Sequence, residues 1–300
     1  MPETVILCPL CQGNESSLFD RRTFAEVPVE NRLCSRCGFV FQSPRMSADE
    51  SATFYAREYR PLYQGSAGPN AKDLVVQAAR AEELLRFTRR SLPRVQRFLD
   101  IGCSAGLLLK AFSQANGCQV VGIEPGEAYR DYATASGFNV YTSLEAMEDS
   151  CEARFDLVSL AHVLEHLPDP VGSLIHLREA VLQPDGWLLL EVPNLYVHDS
   201  FEVAHLEAFS AHTLKETLRK AGYRLVRMRK HGQPRSSILP FYLTALCQPT
   251  SGLVQYVVRP EMGVKLKRKV GQLYRKVALR LLPSLAWRRL PGETGERGEA

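Results

Sequence analysis

Two sets of side chains in this chain have the types and spacing to do chemistry. In the first, an apolar run over 97–101 passes through an acid into a glycine turn, Asp100-Ile101-Gly102-Cys103-Ser104-Ala105-Gly106, and a second apolar run over 118–123 ends at Glu124. A carboxylate at the end of such a strand can accept hydrogen bonds from both hydroxyls of a ribose, and glycines let the backbone approach a ligand closely. The pattern therefore points to a nucleoside-containing ligand. Counted from Gly102, the dinucleotide pattern G-x-G-x-x-G fails at Ser104 and Leu107, which argues against a pyrophosphate on the helix N-terminus.

The second set is Cys8-Pro9-Leu10-Cys11 and Cys34-Ser35-Arg36-Cys37-Gly38, two C-x-x-C knuckles separated by 22 residues. Four thiolates in two such turns suit one tetrahedral zinc ion, which supplies folding energy that a short segment cannot draw from apolar burial. A thiol–disulfide redox pair is the rival reading, but it would sit at a strand-to-helix junction and would not need a second copy. The other four of the eight cysteines (Cys103, Cys118, Cys151, Cys247) are scattered, unlike the framework of a secreted disulfide scaffold.

The elements that must position these groups follow from periodicity. A helix is expected over 73–90, then strand 97–101, helix 104–115, strand 118–123, helix 126–136, strand 138–141, strand 155–160, helix 170–182 and strand 187–192. Strands alternating with helices imply a parallel sheet covered on both faces. An irregular stretch over 193–207 precedes a helix begun by Ser210, with Thr213 as the alternative cap, and ended by Gly222; strands over 223–230 and 241–247 follow. Tyr55, Tyr59 and Tyr63 recur every four residues in the bridge between the cysteines and the first long helix, the spacing of a packing face on a helix.

Taken in order, these segments resemble class I S-adenosylmethionine-dependent methyltransferases. Residues 98–109 with Glu124 resemble the family's first motif and acidic strand end. Phe155-Asp156-Leu157-Val158-Ser159-Leu160 resembles its fourth strand, Val163-Leu164-Glu165-His166-Leu167-Pro168-Asp169-Pro170 the following loop, and residues 182–190 the turn into the fifth strand. The likeness covers about 72–247. It implies an α/β fold with a Rossmann-like, mostly parallel, seven-stranded sheet, a small N-terminal zinc ribbon and a C-terminal basic helix. The expected units are 1–45 (zinc ribbon), 46–71 (bridge or lid), 72–248 (S-adenosylmethionine-binding domain) and 249–300 (basic helix and tail).

The resemblance implies that Asp100, Gly102, Cys103 and Gly106 surround the methionine part of S-adenosylmethionine. Glu124 would bind the ribose with Pro125 beside it, and Ala161 and His162 would stand past the fourth strand. His162-Val163-Leu164-Glu165-His166 also spells H-x-x-E-H, a zinc-protease pattern, but the methyltransferase loop accounts for the same letters and no third ligand is evident. Methyl transfer needs alignment and removal of a proton from the acceptor. The candidate base is His205. The stretch 202–210 resembles a His-containing segment of zinc-module sugar methyltransferases, of which His205 is the position kept. Zinc at Cys8, Cys11, Cys34 and Cys37 would be structural.

These readings lead to an enzyme moving a methyl group to an oxygen or carbon of a small, saccharide-type acceptor. The alternatives are a quinone or lipid-like acceptor and a non-catalytic, cofactor-binding adaptor. Nucleic acid is disfavoured: residues 259–289 carry a net +9 and the remainder up to 258 comes to −3, so the expected catalytic body is mildly acidic, whereas a duplex-binding enzyme usually spreads basic surface around its site. The start of the chain lacks a secretory pattern and no apolar run is long enough to span a bilayer, so a cytoplasmic location is expected, with or without peripheral membrane contact. That contact would use residues 264–282, where Leu266, Val270, Leu273, Val277 and Leu281 share a helix face among seven Lys and Arg residues. The competing expectation is that this apolar stripe packs on the body or on a second subunit.

Overall fold

A computed structural model describes residues 2–66, 68–150, 154–199, 201–250 and 256–290. Cys151 and the acidic tail beyond 290 lie outside the described residues. The N-terminal module comprises β1 (Ser16–Phe24), β2 (Val27–Cys34) and β3 (Val40–Gln42), antiparallel in sequence. The bridge is helical: α1 (Ala48–Thr53), begun by a Ser47–Glu50 capping box, leads through a π turn over Phe54–Glu58 into α2 (Tyr59–Gln64). α3 (Ala71–Thr88) starts at a second capping box, in which Asn70 and Asp73 exchange side-chain and backbone hydrogen bonds.

The body alternates β4 (Arg97–Ile101), α4 (Leu107–Asn116), β5 (Gln119–Ile123), α5 (Glu127–Ala135), β6 (Asn139–Tyr141), α6 (Leu144–Glu148), β7 (Phe155–Ala161), α7 (Pro170–His176) and β8 (Leu182–Pro193). Then come β9 (Glu207–Ala208), α8 (Ala211–Lys220), β10 (Tyr223–His231) and β11 (Tyr242–Pro249), followed by α9 (Val264–Leu281) and α10 (Pro283–Ala286). The seven-stranded sheet has the order β10-β11-β8-β7-β4-β5-β6, with β4 to β8 parallel and β11 antiparallel to β8. Its central strands are buried on both faces, as continuous apolar runs such as Leu188-Leu189-Leu190 require.

Three local differences from the sequence expectation stand out. α4 begins at Leu107 rather than at 104, because Gly102, Ser104 and Gly106 all take positive φ (73°, 52° and 78°) and hold the chain in a turn. The helix from Pro170 loosens into a π turn over Leu177–Val181. β8 starts at Leu182, five residues early, with a register shift that absorbs Pro184-Asp185-Gly186.

Two features join the N-terminal module to the body. β9, from the stretch that reads as irregular, pairs with β3 through Val40–Ala208 and Phe41–Glu207, so the body supplies the fourth strand of the module's sheet. Beyond β11, Glu261 accepts hydrogen bonds from Tyr196 and Ser210, while its backbone N–H donates to the Cys37 carbonyl at 3.0 Å.

Of the readings open for the C-terminal helix, packing of its apolar stripe on the body is overturned. Its buried residues are Val264, Arg268, Arg275 and Ala278, while Leu266, Val270, Leu273, Val277 and Leu281 are exposed. Arginines face the body because carbonyls await them there: Arg268 donates to those of Leu195 and His198 and to Asp199 at 2.8 Å. Among the described residues no helix is long and apolar enough to cross a membrane.

Candidate active site and cysteine cluster

A cavity of about 780 Å³ opens at the carboxyl ends of β4, β5 and β7, the edge where ligands bind in sheets of this kind. Asp100, Gly102, Cys103, Glu124, Pro125, Ala161, His162 and His205 all line it. Gly106 does not. It stands at the N-terminus of α4 with φ 78°, and a Cβ there would meet Phe138 at 2.9 Å, so turn geometry and packing by themselves demand a glycine.

Asp100 and Glu124 form the polar end. Asp100 is buried and accepts a hydrogen bond from Ser159 Oγ at 2.5 Å. Burial pushes its carboxyl up to about 7; the Ser159 hydroxyl opposes that shift and the neighbouring Glu124 adds to it. Glu124 Oε1 accepts from the Gly126 N–H at 2.9 Å, and Oε2 accepts from the Ser104 N–H and from Arg60 Nη2, both at 3.0 Å. Arg60 arrives from α2 with its guanidinium over Tyr129 at 4.0 Å. The helical bridge thus places a cation on the carboxylate expected to meet the ribose.

The opposite wall comes from residues far apart in sequence. Tyr55, Tyr59 and Tyr63 line the cavity beside His166 and His205. The same tyrosines pack with Phe54, Val29 and Ala204, and Phe24 of the hairpin stacks on Tyr63 at 5.4 Å. The i, i+4 stripe is therefore a packing face and a cavity wall at once. His166 and His205 lie 4.8 Å apart, ring to ring. His166 Nδ1 donates to the Ala204 carbonyl at 2.8 Å, leaving Nε2 as the acceptor, and burial lowers its pKa to about 4, so the ring is neutral. His205 Nδ1 lies 4.0 Å from Glu202. Glu165, His166 and His205 bring ligand atoms within 4.8 Å of one another, a set able to hold a cation.

His162 takes φ 58°, rare for a non-glycine residue, and stands between two buried acids, Glu165 at 3.3 Å and Glu191 at 3.2 Å. Burial and Arg80 press its imidazole toward neutrality, but hydrogen bonds to Glu165 and Glu191 outweigh them and raise its pKa. Sequence reasoning missed Glu191. It sits near the end of β8, 1% exposed, accepts a hydrogen bond from Thr244 Oγ1 at 2.9 Å, and is ion-paired with Arg80, whose Nε lies at 3.0 Å, and with His231 at 3.3 Å. An acid directly after Leu188-Leu189-Leu190 was the available signal, because a buried strand does not carry a charge without partners.

The donor set fits S-adenosylmethionine. Two buried carboxylates can face the cationic sulfonium and amine and the ribose hydroxyls, and the cavity lies within the range of small-molecule sites.

The four cysteines of the knuckles converge. Cys8 and Cys37 Sγ are 3.6 Å apart, Cys11 and Cys34 Sγ 3.5 Å, and all four lie within 4.8 Å of one another without a disulfide. A tetrahedral ion with metal–sulfur bonds of about 2.3 Å needs sulfurs about 3.8 Å apart, so the cluster fits a closed four-thiolate centre. Gly38 (φ 77°) ends the second knuckle, where a Cβ would strike the Glu261 carbonyl at 2.5 Å.

A family model described as a methyltransferase domain matches residues 76–228. The ubiquinone biosynthesis O-methyltransferase of Haemophilus ducreyi is 37% identical over 110 residues, covering 33% of this chain and 46% of that protein. The protein of the same name from Pseudomonas aeruginosa is 35% identical over 106 residues, covering 33% and 45%. The chain spans about half the length of the curated relatives it matches. In fold it is similar to Burkholderia thailandensis 1,6-didemethyltoxoflavin-N1-methyltransferase, solved with 1,6-didemethyltoxoflavin and S-adenosylhomocysteine. That likeness has TM-score 0.56 at 20% identity and covers 79% of this chain and 100% of that one.

Proposed function

This chain belongs to the methyltransferase-domain family, and on that premise we propose that it is an S-adenosylmethionine-dependent O-methyltransferase acting on a hydroxyl of an aromatic, lipid-like acceptor such as a quinol. The carrying observation is a single cavity with two buried carboxylates, Asp100 and Glu124, at one end and a wall of tyrosines and histidines at the other. The names of the relatives support oxygen as the methylated atom and a quinol-type acceptor. A flat ring also suits the Tyr55, Tyr59 and His166 faces. This acceptor replaces the saccharide expected from the zinc-module resemblance, which gains no support from those relatives.

S-adenosylmethionine supplies a methyl group already activated on a sulfonium sulfur. The chain's own contribution is alignment, charge and a proton acceptor. Asp100 and Glu124 hold the cationic and ribose parts, with the Gly102–Ser104 turn in close approach. Arg60 must release or share Glu124 when the ribose hydroxyls arrive, so α2 acts as a cover that responds to cofactor. His205 takes the acceptor proton; His166, neutral and fixed through Nδ1, orients the acceptor beside it. The four N-terminal cysteines hold one structural zinc ion.

The test is turnover of S-adenosylmethionine with catechol and hydroquinone acceptors bearing short prenyl tails, compared with nucleotide sugars. Methylation of the phenols alone supports the reading, and methylation of the sugars alone overturns it. His205→Ala is expected to lower turnover about 10² to 10⁴-fold with nearly unchanged S-adenosylhomocysteine affinity. More than half of wild-type turnover in that variant would remove His205 as the base. Binding without turnover on any acceptor would favour the adaptor.

A further inference from the structure

We propose that the outward face of α9 is a docking surface for an anionic lipid bilayer, on which the chain lies by this helix. The proposal is independent of the acceptor and of methyl transfer.

The helix is amphipathic in an unusual sense, with two specialised faces pointing in opposite directions. The inner face holds Val264, Arg268, Arg275 and Ala278, and Gly271 comes so close to the body that a Cβ would meet the Tyr196 carbonyl oxygen at 2.1 Å. The orientation is thus fixed by contacts a side chain could not tolerate. At 100° per residue, Leu266, Val270, Leu273, Val277 and Leu281 fall on the side opposite that inner face. They are 67%, 59%, 62%, 45% and 69% exposed. Exposed apolar side chains scattered singly need no explanation, but a five-residue stripe along an 18-residue helix does.

Charge selects the occupant. Lys265, Lys269, Lys276 and Arg280 flank one edge of the stripe, all exposed; Lys267, paired with Glu261 at 3.0 Å, borders the other, and the helix itself contains no acid. Two copies packing stripe to stripe would bring like-charged edges together. An apolar stripe bordered by cations is instead complementary to acyl chains beneath anionic headgroups, the arrangement of helices that lie in the interface plane. Met262, just before the helix, is 77% exposed, and Leu285, just after it, 42%.

The experiment is co-sedimentation of the full chain with vesicles of phosphatidylcholine alone and of phosphatidylcholine with phosphatidylglycerol in equal parts, at low and at 0.5 M salt. Binding to the mixed vesicles only, lost at high salt, is the expected result. Leu273→Gln with Val270→Gln should weaken it at least tenfold, and Lys265→Gln with Lys269→Gln and Lys276→Gln likewise. Unchanged thermal midpoints and unchanged S-adenosylhomocysteine affinity would show that these exposed positions are not part of the fold or the cleft. Absence of binding to the mixed vesicles overturns the proposal, as does equal binding by the Gln variants. A concentration-dependent dimer abolished by the Leu273 and Val270 pair, with no vesicle binding, would assign the stripe to a second copy and also overturn it.

Discussion

Asp100 carries the clearest chemical consequence of its surroundings. With its carboxyl pushed up to about 7 by burial, the free protein holds it largely protonated at mildly acidic pH. A cationic ligand beside it favours the ionised form, so binding expels a proton. The affinity for S-adenosylmethionine should therefore rise with pH and level off above about 7, by on the order of tenfold between pH 5.5 and 7.5. Calorimetry in buffers of different ionisation enthalpy should detect the released proton, and Asp100→Asn should show a weaker and flat profile. A flat profile in the unaltered protein would place the cation elsewhere. Glu124 offers a companion measurement: Glu124→Ala should cost about 2 to 3 kcal/mol of cofactor binding, as loss of charge-assisted hydrogen bonds does. Both acids were legible in the sequence because each ends an apolar run at a strand terminus. Glu191 and Arg80 were not, since their significance arises only when β8 and α3 converge on His162 and its neighbours.

At the scale of elements, most strands and helices could be read from periodicity, and two causes account for the misreadings. The 3.6 and 2.0 periods describe burial, whereas turns are decided by backbone conformations that periodicity does not see. Ser104 takes φ 52° in the turn before α4, and nothing in its residue type announces this. β9 was illegible for another reason: a two-residue strand has no pattern, and only its partner β3 defines it. That pairing couples the cysteine cluster to the cavity wall at His205, because Glu207 and Ala208 follow His205 by two and three residues and β3 follows Cys37 by three. Phe24 on Tyr63 couples them a second time. If the four cysteines hold a metal as proposed, its removal with a chelator is therefore expected to raise the acceptor KM and lower turnover, while S-adenosylhomocysteine affinity changes less than about threefold. Native mass spectrometry should show one ion lost in step. A chelated chain with unchanged acceptor kinetics would make the module independent of the cavity.

For the whole molecule, the net charge of +4 conceals a C-terminal segment that is both strongly basic and a part of the fold. Composition showed the charge, and the periodicity of 264–282 showed the apolar stripe. Neither could show which face the body would take, because that choice depends on carbonyls left bare by the loop after β8. Arg268 meets the Leu195 and His198 carbonyls and Asp199, and its guanidinium lies 4.7 Å from the centre of the Phe201 ring. Arg22 of the N-terminal hairpin reaches the same Asp199 oxygen at 2.9 Å and the same ring at 5.1 Å. The two arginines thus tie hairpin, loop and C-terminal helix at one point. Burial lowers the Arg268 pKa to about 10, which still leaves the group charged at neutral pH. Arg268→Ala removes that charge and leaves buried carbonyls without donors, and is expected to cost about 2 to 4 kcal/mol of stability. Leu273→Gln on the exposed face of the same helix should change stability by less than about 0.5 kcal/mol. Denaturant titration of both variants measures the contrast. Were Leu273→Gln the more damaging change, the stripe would be packed in solution and the orientation of α9 would be the reverse of that described.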